Sequence, residues 1–420
     1  MWRQNQPKKS EIKFKSLLSN TIHEVCTKRP GWKETDRDDW DFIWADKDWI
    51  RMHFDEMRSQ LSNTARVNHF RNHYELTRKD HMVKNFKRMI SSLRREDRAS
   101  EAAQYDFFPV TYLLPQDYGV FVEDFKRQSD RPIWIAKPTG KAQGRGIFLF
   151  TELKDVKLWK KAAENRGNPK QDDEEDVENY VVQRYITNPY LVGGKKFDLR
   201  IYVLVTSYMP LTVWLYRSGF ARFSGFRYNG ARNQLKDTHL HLTNVAVQKT
   251  APGYDREAGC KWLIDCLKRY MVSVHGQDAI NQLFYEIQSL IIRSLQAVQK
   301  VIMNDKHCFE LYGYDIMLDD TLKPWLLEVN ASPSLTADTA SDHELKCGML
   351  DDLLDVIDLE ERRTGDEIQV GGFDLIFNGS VVKPPRPTSV QSFLGCNNDR
   401  TEVKQKAMRD FLKRSAQANK

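Results

Sequence analysis

The sequence predicts an α+β (mixed α/β) protein, and three observations carry that prediction. Strand-period segments crowd between residues 133 and 216, a long helix-period stripe follows near 278–303, and a hairpin lies at 310–330. This order lacks the regular strand–helix alternation of a doubly wound parallel sheet. At 420 residues the chain exceeds what one hydrophobic core supports, so two or three subdomains are expected.

Residues 1–105 combine a strand, Trp40–Trp44, with basic helical stretches. Strand alternation places Trp40, Phe42 and Trp44 on one face, a pattern that reads as core. From Arg66 to Arg98 there are ten Lys/Arg against four Asp/Glu, a local excess of +6 that equals the surplus of the whole chain. Such a stripe is either a solvated helix face or a landing strip for an acidic polymer. A strand and connector at 107–115 open a second region, and Asp117 stands where it would cap a short helix ending near Lys126. Strands are expected at Ile133–Lys137, Gly146–Phe150, Tyr180–Tyr185, Phe197–Val205 and Leu211–Tyr216, with a surface loop over Lys160–Glu178. Ile280, Leu283, Ile287, Leu290, Ile291, Leu295, Val298 and Ile302 recur at helical spacing and form a core stripe. A helix near 342–358 precedes a Pro-rich, polar tail.

Composition excludes several classes. Charged residues make up 29% of the chain, which suits a soluble globular surface, and no run of about 18 apolar residues is present to span a membrane. Met1–Lys15 is polar and basic without an apolar stretch, so it does not read as a secretory signal. The cysteines (Cys26, Cys260, Cys266, Cys308, Cys347, Cys396) show no CxxC pair and no zinc spacing, as in a reducing compartment. No RNA-binding or helix-turn-helix signature accompanies the basic stripe, which makes nucleic acid the weaker partner.

Four segments carry candidate chemistry. The first is a Gly-, Lys- and Arg-rich loop, Thr139–Gly146, between two apolar strands. Glycines let backbone N–H groups close on phosphate oxygens. The loop leads into a strand, so it is neither a Walker loop nor a Rossmann fingerprint. A phosphate cover and an ordinary glycine hairpin both remain open. In the second segment, period-2 geometry lines Lys196, Asp198 and Arg200 on one face and Phe197, Leu199, Ile201 and Val203 on the other. Three ionisable groups on an otherwise apolar strand require ligands or one another. In the third, a turn centred between Thr321 and Leu322 sets Asp315 opposite Glu328, with Asn330 a diagonal neighbour. Facing carboxylates call for a cation between them, a shared proton or a nearby Lys, and hard oxygen donors suit Mg²⁺. The fourth is His239–Asn244, whose two histidines lack a third zinc ligand and read better as polar groups at a strand end near a nucleotide.

Taken in order, Lys137-Pro138 with Gln143–Ile147, Gln183–Ile186, Lys196–Arg200, His241–Asn244 and Trp325–Pro333 resemble the tubulin tyrosine ligase-like family, most closely its short polyglutamylase members. Asn68–Arg71 and Leu76–Lys79 also resemble that family's amino-terminal region, and the likeness runs from about 30 to 360. The resemblance implies an ATP-grasp fold: an amino-terminal domain (1–105) ahead of two subdomains (106–245 and 246–360) that clamp ATP, with an extended tail (361–420). It implies ATP-phosphate contacts from Lys137 and Lys196, and adenine recognition by the Gln183, Arg184, Tyr185 and Ile186 backbone. It further implies that Gln143 and Gly144 cover nucleotide and acceptor, that Thr243 and Asn244 lie beside nucleotide and amino acid, and that Asp315, Glu328 and Asn330 hold Mg²⁺. Arg222 and Lys261 match positions that bind the carboxylates of free glutamate; two cations suit glutamate better than glycine.

The implied activity joins glutamate to glutamate side chains of acidic tubulin tails through an acyl phosphate, with Lys137, Lys196, Arg200 and Glu328 catalytic. A cytoplasmic, cytoskeletal setting follows, at the axoneme or basal body of a cilium or flagellum. Residues 361–420 are fewer than the basic extension of self-sufficient members, which implies partner subunits or use of the basic stripe for microtubules. Arg145 stands where lysine is common, a change of hydrogen-bond geometry but not of charge. Competing expectations are a tubulin glycylase, a ligase acting on another protein, a silent ciliary scaffold, and a basic nucleic-acid-binding module.

Overall fold

In the computed structural model, residues 11–156, 179–251, 260–337, 339–383, 390–400 and 405 are described. The expected loop Lys160–Glu178 lies outside these residues, as do Met1–Ser10 of the opening segment. Among the described residues no disulfide links the cysteines, and no helix is long and apolar enough to cross a membrane.

Three sheets form. The amino-terminal sheet is built from β1 (Ile12–Ser16), β2 (Trp32–Glu34), β3 (Phe42–Trp44) and β4 (Arg66–Val67), all parallel, in the order β2-β1-β3-β4. A small antiparallel sheet contains β5 (Thr111–Leu114), β6 (Trp134–Pro138), β7 (Phe148–Phe150) and β8 (Tyr180–Arg184), in the order β5-β8-β6-β7. The large sheet comprises β10 (Lys195–Tyr208), β11 (Leu211–Arg227), β13 (Glu310–Leu318), β14 (Pro324–Ala331), β15 (Gln369–Val370) and β16 (Phe373–Asn378). Its strands run in the order β14-β13-β10-β11-β16-β15. Two short strands join it, β9 (Leu191–Val192) beside β10 and β12 (Lys261–Leu263) beside β11.

Alternation sorts the large sheet into two apolar faces. Leu199, Ile201, Val203, Val213, Leu215, Tyr312 and Ile316 bury in one core with the helix Gln277–Gln299. Ile280, Leu283, Ile287, Leu290, Ile291, Leu295 and Val298 of that helix carry the expected stripe. Tyr202, Leu204, Trp214, Tyr216 and Leu311 bury on the opposite face with Met349 and Leu353 of the helix Ala340–Ile357 and with Phe14, Phe42 and Trp44 of the amino-terminal sheet. The strand β10 changes character along this second face. Tyr202 and Leu204 are core, whereas Lys196, Asp198 and Arg200 project beyond the apolar contact and create the site. In the small sheet, Trp134, Ala136, Phe150 and Val182 pack with Phe121 of the helix Tyr118–Arg127, leaving Ile135, Leu149 and Tyr185 in a separate cluster.

The structure departs from the sequence pattern at several places. Trp40 precedes β3 and packs with Ile43, while Phe42 and Trp44 share the other cluster, so the three aromatics do not share a face. Asp117 occupies the N-cap position, but its carboxylate accepts from Leu113 N–H at 3.0 Å instead of capping. The strand expected to end at Tyr216 continues to Arg227 because Gly219 permits it: a β-carbon there would lie 2.4 Å from the Arg200 carbonyl oxygen. Residues 361–420, expected as an extended tail, supply β15 and β16, and Phe373 packs on Tyr216 with ring centroids 4.8 Å apart. Residue 245 lies between β11 and β12, which pair with each other in one sheet.

Candidate active site

A cleft of about 780 Å³ opens between one face of the small sheet and the charged end of β10. Its apolar wall comes from Ile135, Ile147, Leu242, Met317 and Leu327. Leu327 reaches it through a β-bulge: Asp315 pairs with Glu328, but Ile316 pairs with Leu326, leaving one extra residue in β14. An apolar wall with a few convergent polar groups at one end is the usual build of a small-molecule site.

Two lysines form the cationic end. Lys137 Nζ donates to Gln183 Oε1 at 2.8 Å. Lys196 Nζ donates to Tyr185 Oη at 2.8 Å and to the His241 carbonyl at 2.9 Å, and it lies 4.5 Å from the Tyr185 ring centroid. Burial pushes the Lys137 ammonium down to about 8 despite the opposing charge of Glu328. It pushes Lys196 down to about 7, where Asp198 opposes the shift and Lys137 adds to it. Two cations desolvated side by side are poised for an anion that would stabilise both.

The mouth is covered by the loop between β6 and β7. Gln143 and Gly144 both adopt left-handed backbone, at φ 63° and 80°. At Gly144 a β-carbon would lie 2.8 Å from Val247 Cγ2 and 3.4 Å from Asn244 Oδ1, so the loop closes onto Asn244 only as glycine. His241 ends a single helical turn, Thr238–His241, and bonds Tyr185 Oη through Nδ1 at 2.9 Å. The segment expected as a strand end is therefore helical, although Thr243 and Asn244 do line the cleft.

Behind the lysines lies a chain of alternating charges. Arg200 Nε donates to Asp315 Oδ1 at 2.6 Å, Arg222 donates to Asp315 Oδ2 at 2.9 Å, and Arg222 Nε donates to Asp198 Oδ1 at 2.9 Å. Burial alone would raise the Asp315 carboxyl; Arg200 and Arg222 outweigh it and hold the group ionised well below the usual carboxylate range. Asp315 faces Glu328 in register, as expected, and the Asn330 amide nitrogen lies 3.3 Å from Glu328 Oε1 and 3.5 Å from Asp315 Oδ2. The three side chains thus converge. Their chemistry fits a divalent cation: Glu328 and Asp315 offer hard oxygen, and the arginines leave part of the Asp315 lone-pair capacity unused. Asn330, whose amide nitrogen faces both carboxylates here, would offer its oxygen by turning the amide over.

Of the residues singled out from the sequence, Lys137, Gln143, Gly144, Gln183, Arg184, Tyr185, Ile186, Lys196, Thr243, Asn244, Asp315 and Glu328 line the cleft. The Arg184 guanidinium bonds Asp130 at 3.3 Å. Arg200, Arg222, Lys261 and Asn330 stand in the layer around the cleft. Lys261 is the cross-strand neighbour of Arg222 and donates to buried Asp342 at 2.7 Å. Lys79 was missed as a site residue. It begins the helix Lys79–Arg95, lies 3.5 Å from Glu328, and lines the cleft. One lysine in a basic run carries no signal of its own. Ile135 and Met317 could have been found by period-2 alternation from Lys137 and Asp315.

Fold and site together define a mixed α/β protein with a cleft that is cationic at one end and acidic beside it. A family model described as the tubulin-tyrosine ligase family matches residues 57–364. A Bos taurus protein named "Probable tubulin polyglutamylase TTLL9" is 50% identical over 427 aligned positions, covering 94% of this chain and 92% of that one. A Caenorhabditis elegans protein named "Probable tubulin polyglutamylase ttll-9" is 48% identical over 375, covering 89% and 87%. "Probable alpha-tubulin polyglutamylase Ttll1" of Tetrahymena thermophila is 42% identical over 393, covering 89% and 94%. The chain belongs to the tubulin-tyrosine ligase family.

Proposed function

We propose that this chain is an ATP-dependent polyglutamylase, a carboxylate–amine ligase that adds glutamate to glutamate side chains of tubulin tails. The observation that carries the reading is the pair of depressed lysines, half-buried Lys137 and buried Lys196, at the end of an apolar cleft whose far side bears Asp315, Glu328 and Asn330. An ATP-grasp arrangement accounts for it, with the small sheet and the large sheet as the two clamping subdomains behind an amino-terminal domain.

ATP would supply the γ-phosphoryl group that turns an inert acceptor carboxylate into an acyl phosphate, leaving ADP; the amine of free glutamate would attack the acyl carbon, expel phosphate and lose a proton as the amide forms. Asp315, Glu328 and Asn330 would hold Mg²⁺, which would supply charge neutralisation at the phosphates. The remaining work belongs to the chain. Ile135, Leu242 and Met317 line the cleft where they would pack on the base, and the Gln183–Ile186 backbone would recognise its edge. Lys137, Lys196 and Lys79 offset charge on the phosphates, and Arg200 keeps Asp315 ionised and aimed. Gln143 and Gly144 exclude water above them.

Arg222 and Lys261, adjacent across β11 and β12, pair with Asp198, Asp315 and Asp342 in this structure; sharing those pairs with the two carboxylates of a substrate would favour glutamate over glycine. An acidic acceptor tail finds a complementary surface on the helix Lys79–Arg95, where Lys84, Lys87, Arg88, Arg94 and Arg95 are exposed and Lys79 leads into the cleft. The proposed setting is on microtubules of the cytoskeleton, in a cilium or flagellum, alone or with partner subunits. A silent scaffold is the second reading, and the intact acidic and basic positions count against it. Coupled assays test the proposal: ADP release should require microtubules and glutamate together, with ADP and incorporated glutamate in equal amounts. ADP release that ignores both would overturn it.

A further inference from the structure

A buried polar contact joins the amino-terminal region to the end of β14, behind the cleft. His69 is fully buried, and its Nδ1 lies 2.7 Å from Oε1 of Glu310, itself fully buried at the start of β13. A carboxylate only accepts, so Nδ1 carries the proton; the other Glu310 oxygen accepts Phe70 N–H at 3.0 Å. These two bonds fix the ring, and its Nε2 lies 3.0 Å from Ser332 Oγ. Ser332 needs such an anchor, because its φ of 47° is a left-handed conformation that residues with a β-carbon adopt at a cost. The bend follows Asn330 by two residues and seats Pro333 against Gly313, the cross-strand partner of Asn330. A β-carbon at Gly313 would lie 2.8 Å from Pro333 Cβ and 3.3 Å from Arg200 Cδ, so the same bend also backs the arginine that holds Asp315.

We propose that His69, anchored by Glu310, is a positioning residue that holds the Ser332 bend and thereby fixes Asn330, Glu328 and Arg200 for the divalent cation. This rests on the ligase reading above. The test measures Mn²⁺ binding by electron paramagnetic resonance, on the full chain with a non-hydrolysable ATP analogue. Variants are His69→Ala, Ser332→Ala, Ser332→Gly and the His69→Ala/Ser332→Ala pair. Each alanine variant should weaken Mn²⁺ binding about tenfold, the range for residues that support metal ligands from behind. The double variant should lose no more than either single one, since both break one contact. Ser332→Gly should stay within about threefold of the unaltered protein, because glycine takes that backbone without help. Unchanged Mn²⁺ affinity with only a lowered melting temperature overturns the proposal, as do additive losses. Capture of Ser332 by a fluorophosphonate also overturns it, by making Ser332 a nucleophile. Should His69→Ala fail to fold, the Ser332 variants decide alone. Failure of the unaltered protein to bind the Mn²⁺–nucleotide pair overturns the ligase reading and this one together; normal binding with unaffected variants overturns this one only.

Discussion

Arg222 and Asp315 meet at 2.9 Å, and the same guanidinium holds Asp198 on its other side. The arginine assigned to the incoming amino acid and a carboxylate assigned to the cation are therefore one ion-paired unit. Arg222→Ala should cost more than substrate affinity. It strands buried Asp198 and takes one of the two arginines from Asp315, which keeps Arg200. The loss is about 3–5 kcal/mol of stability, and the substitution should abolish glutamate incorporation. Denaturant unfolding and labelled-glutamate uptake measure the two effects. Arg222→Lys keeps the charge without the fork and should fall between. Unchanged stability with unchanged glutamate affinity would contradict both roles.

Glu328→Gln should leave the fold intact, because the residue is partly exposed and its contacts are long, 3.5 Å to Lys79 and 3.3 Å to Asn330. Turnover should drop by about 10²–10³, the scale of one lost electrostatic contact at a reacting centre. Steady-state incorporation with a circular-dichroism melt checks it.

Lys196 near 7 and Lys137 near 8 predict a pH signature for ATP binding. A bound triphosphate favours both ammonium forms and raises both values. Below the unbound values the lysines are already protonated and add no pH dependence. Above them binding must take up protons, so affinity falls as pH rises, approaching tenfold per pH unit for each lysine. Calorimetry from about pH 7.5 to 9, in buffers of different ionisation enthalpy, should reveal that uptake. Affinity flat across the range would remove the lysines from the phosphate site.

Gly219→Ala tests how the long strand β11 is made. Its β-carbon would meet the Arg200 carbonyl oxygen at 2.4 Å, a backbone atom that cannot swing aside. A loss of about 1–3 kcal/mol is expected from such overpacking, together with weakened activity, since Arg200 carries the strain to Asp315. Thermal unfolding and turnover report both.

Part of this architecture was legible in the residue pattern, and the rest was hidden for identifiable reasons. Asp315 faces Glu328 as a turn centred between Thr321 and Leu322 implies, but through a different route. Beside the turn Leu318 pairs with Pro324 and Met317 with Trp325, one residue off that register, and the bulge restores it. The bulge at Leu327 left no trace, since neither glycine nor proline marks it. Alternation along β10 separated Lys196, Asp198 and Arg200 from the apolar face, but not which charge each would find; that depends on Arg222 and Asp315, distant in the chain. β11 read too short because Arg217, Ser218 and Gly219 interrupt its apolar pattern, although Arg217 is paired with Asp374 at 2.7 Å. β15 and β16 were hidden in a polar segment that runs into prolines, where composition outweighed the short apolar run within Phe373–Phe377.

Mass spectrometry of tubulin tails decides between ligase and scaffold, after the purified protein is incubated with microtubules, ATP, Mg²⁺ and isotope-labelled glutamate or glycine. Labelled glutamate should appear attached through glutamate side chains, dependent on ATP and lost in Glu328→Gln. Tails carrying labelled glycine, or no label under any condition while the protein remains folded and binds ATP, would contradict a polyglutamylase built on this cleft.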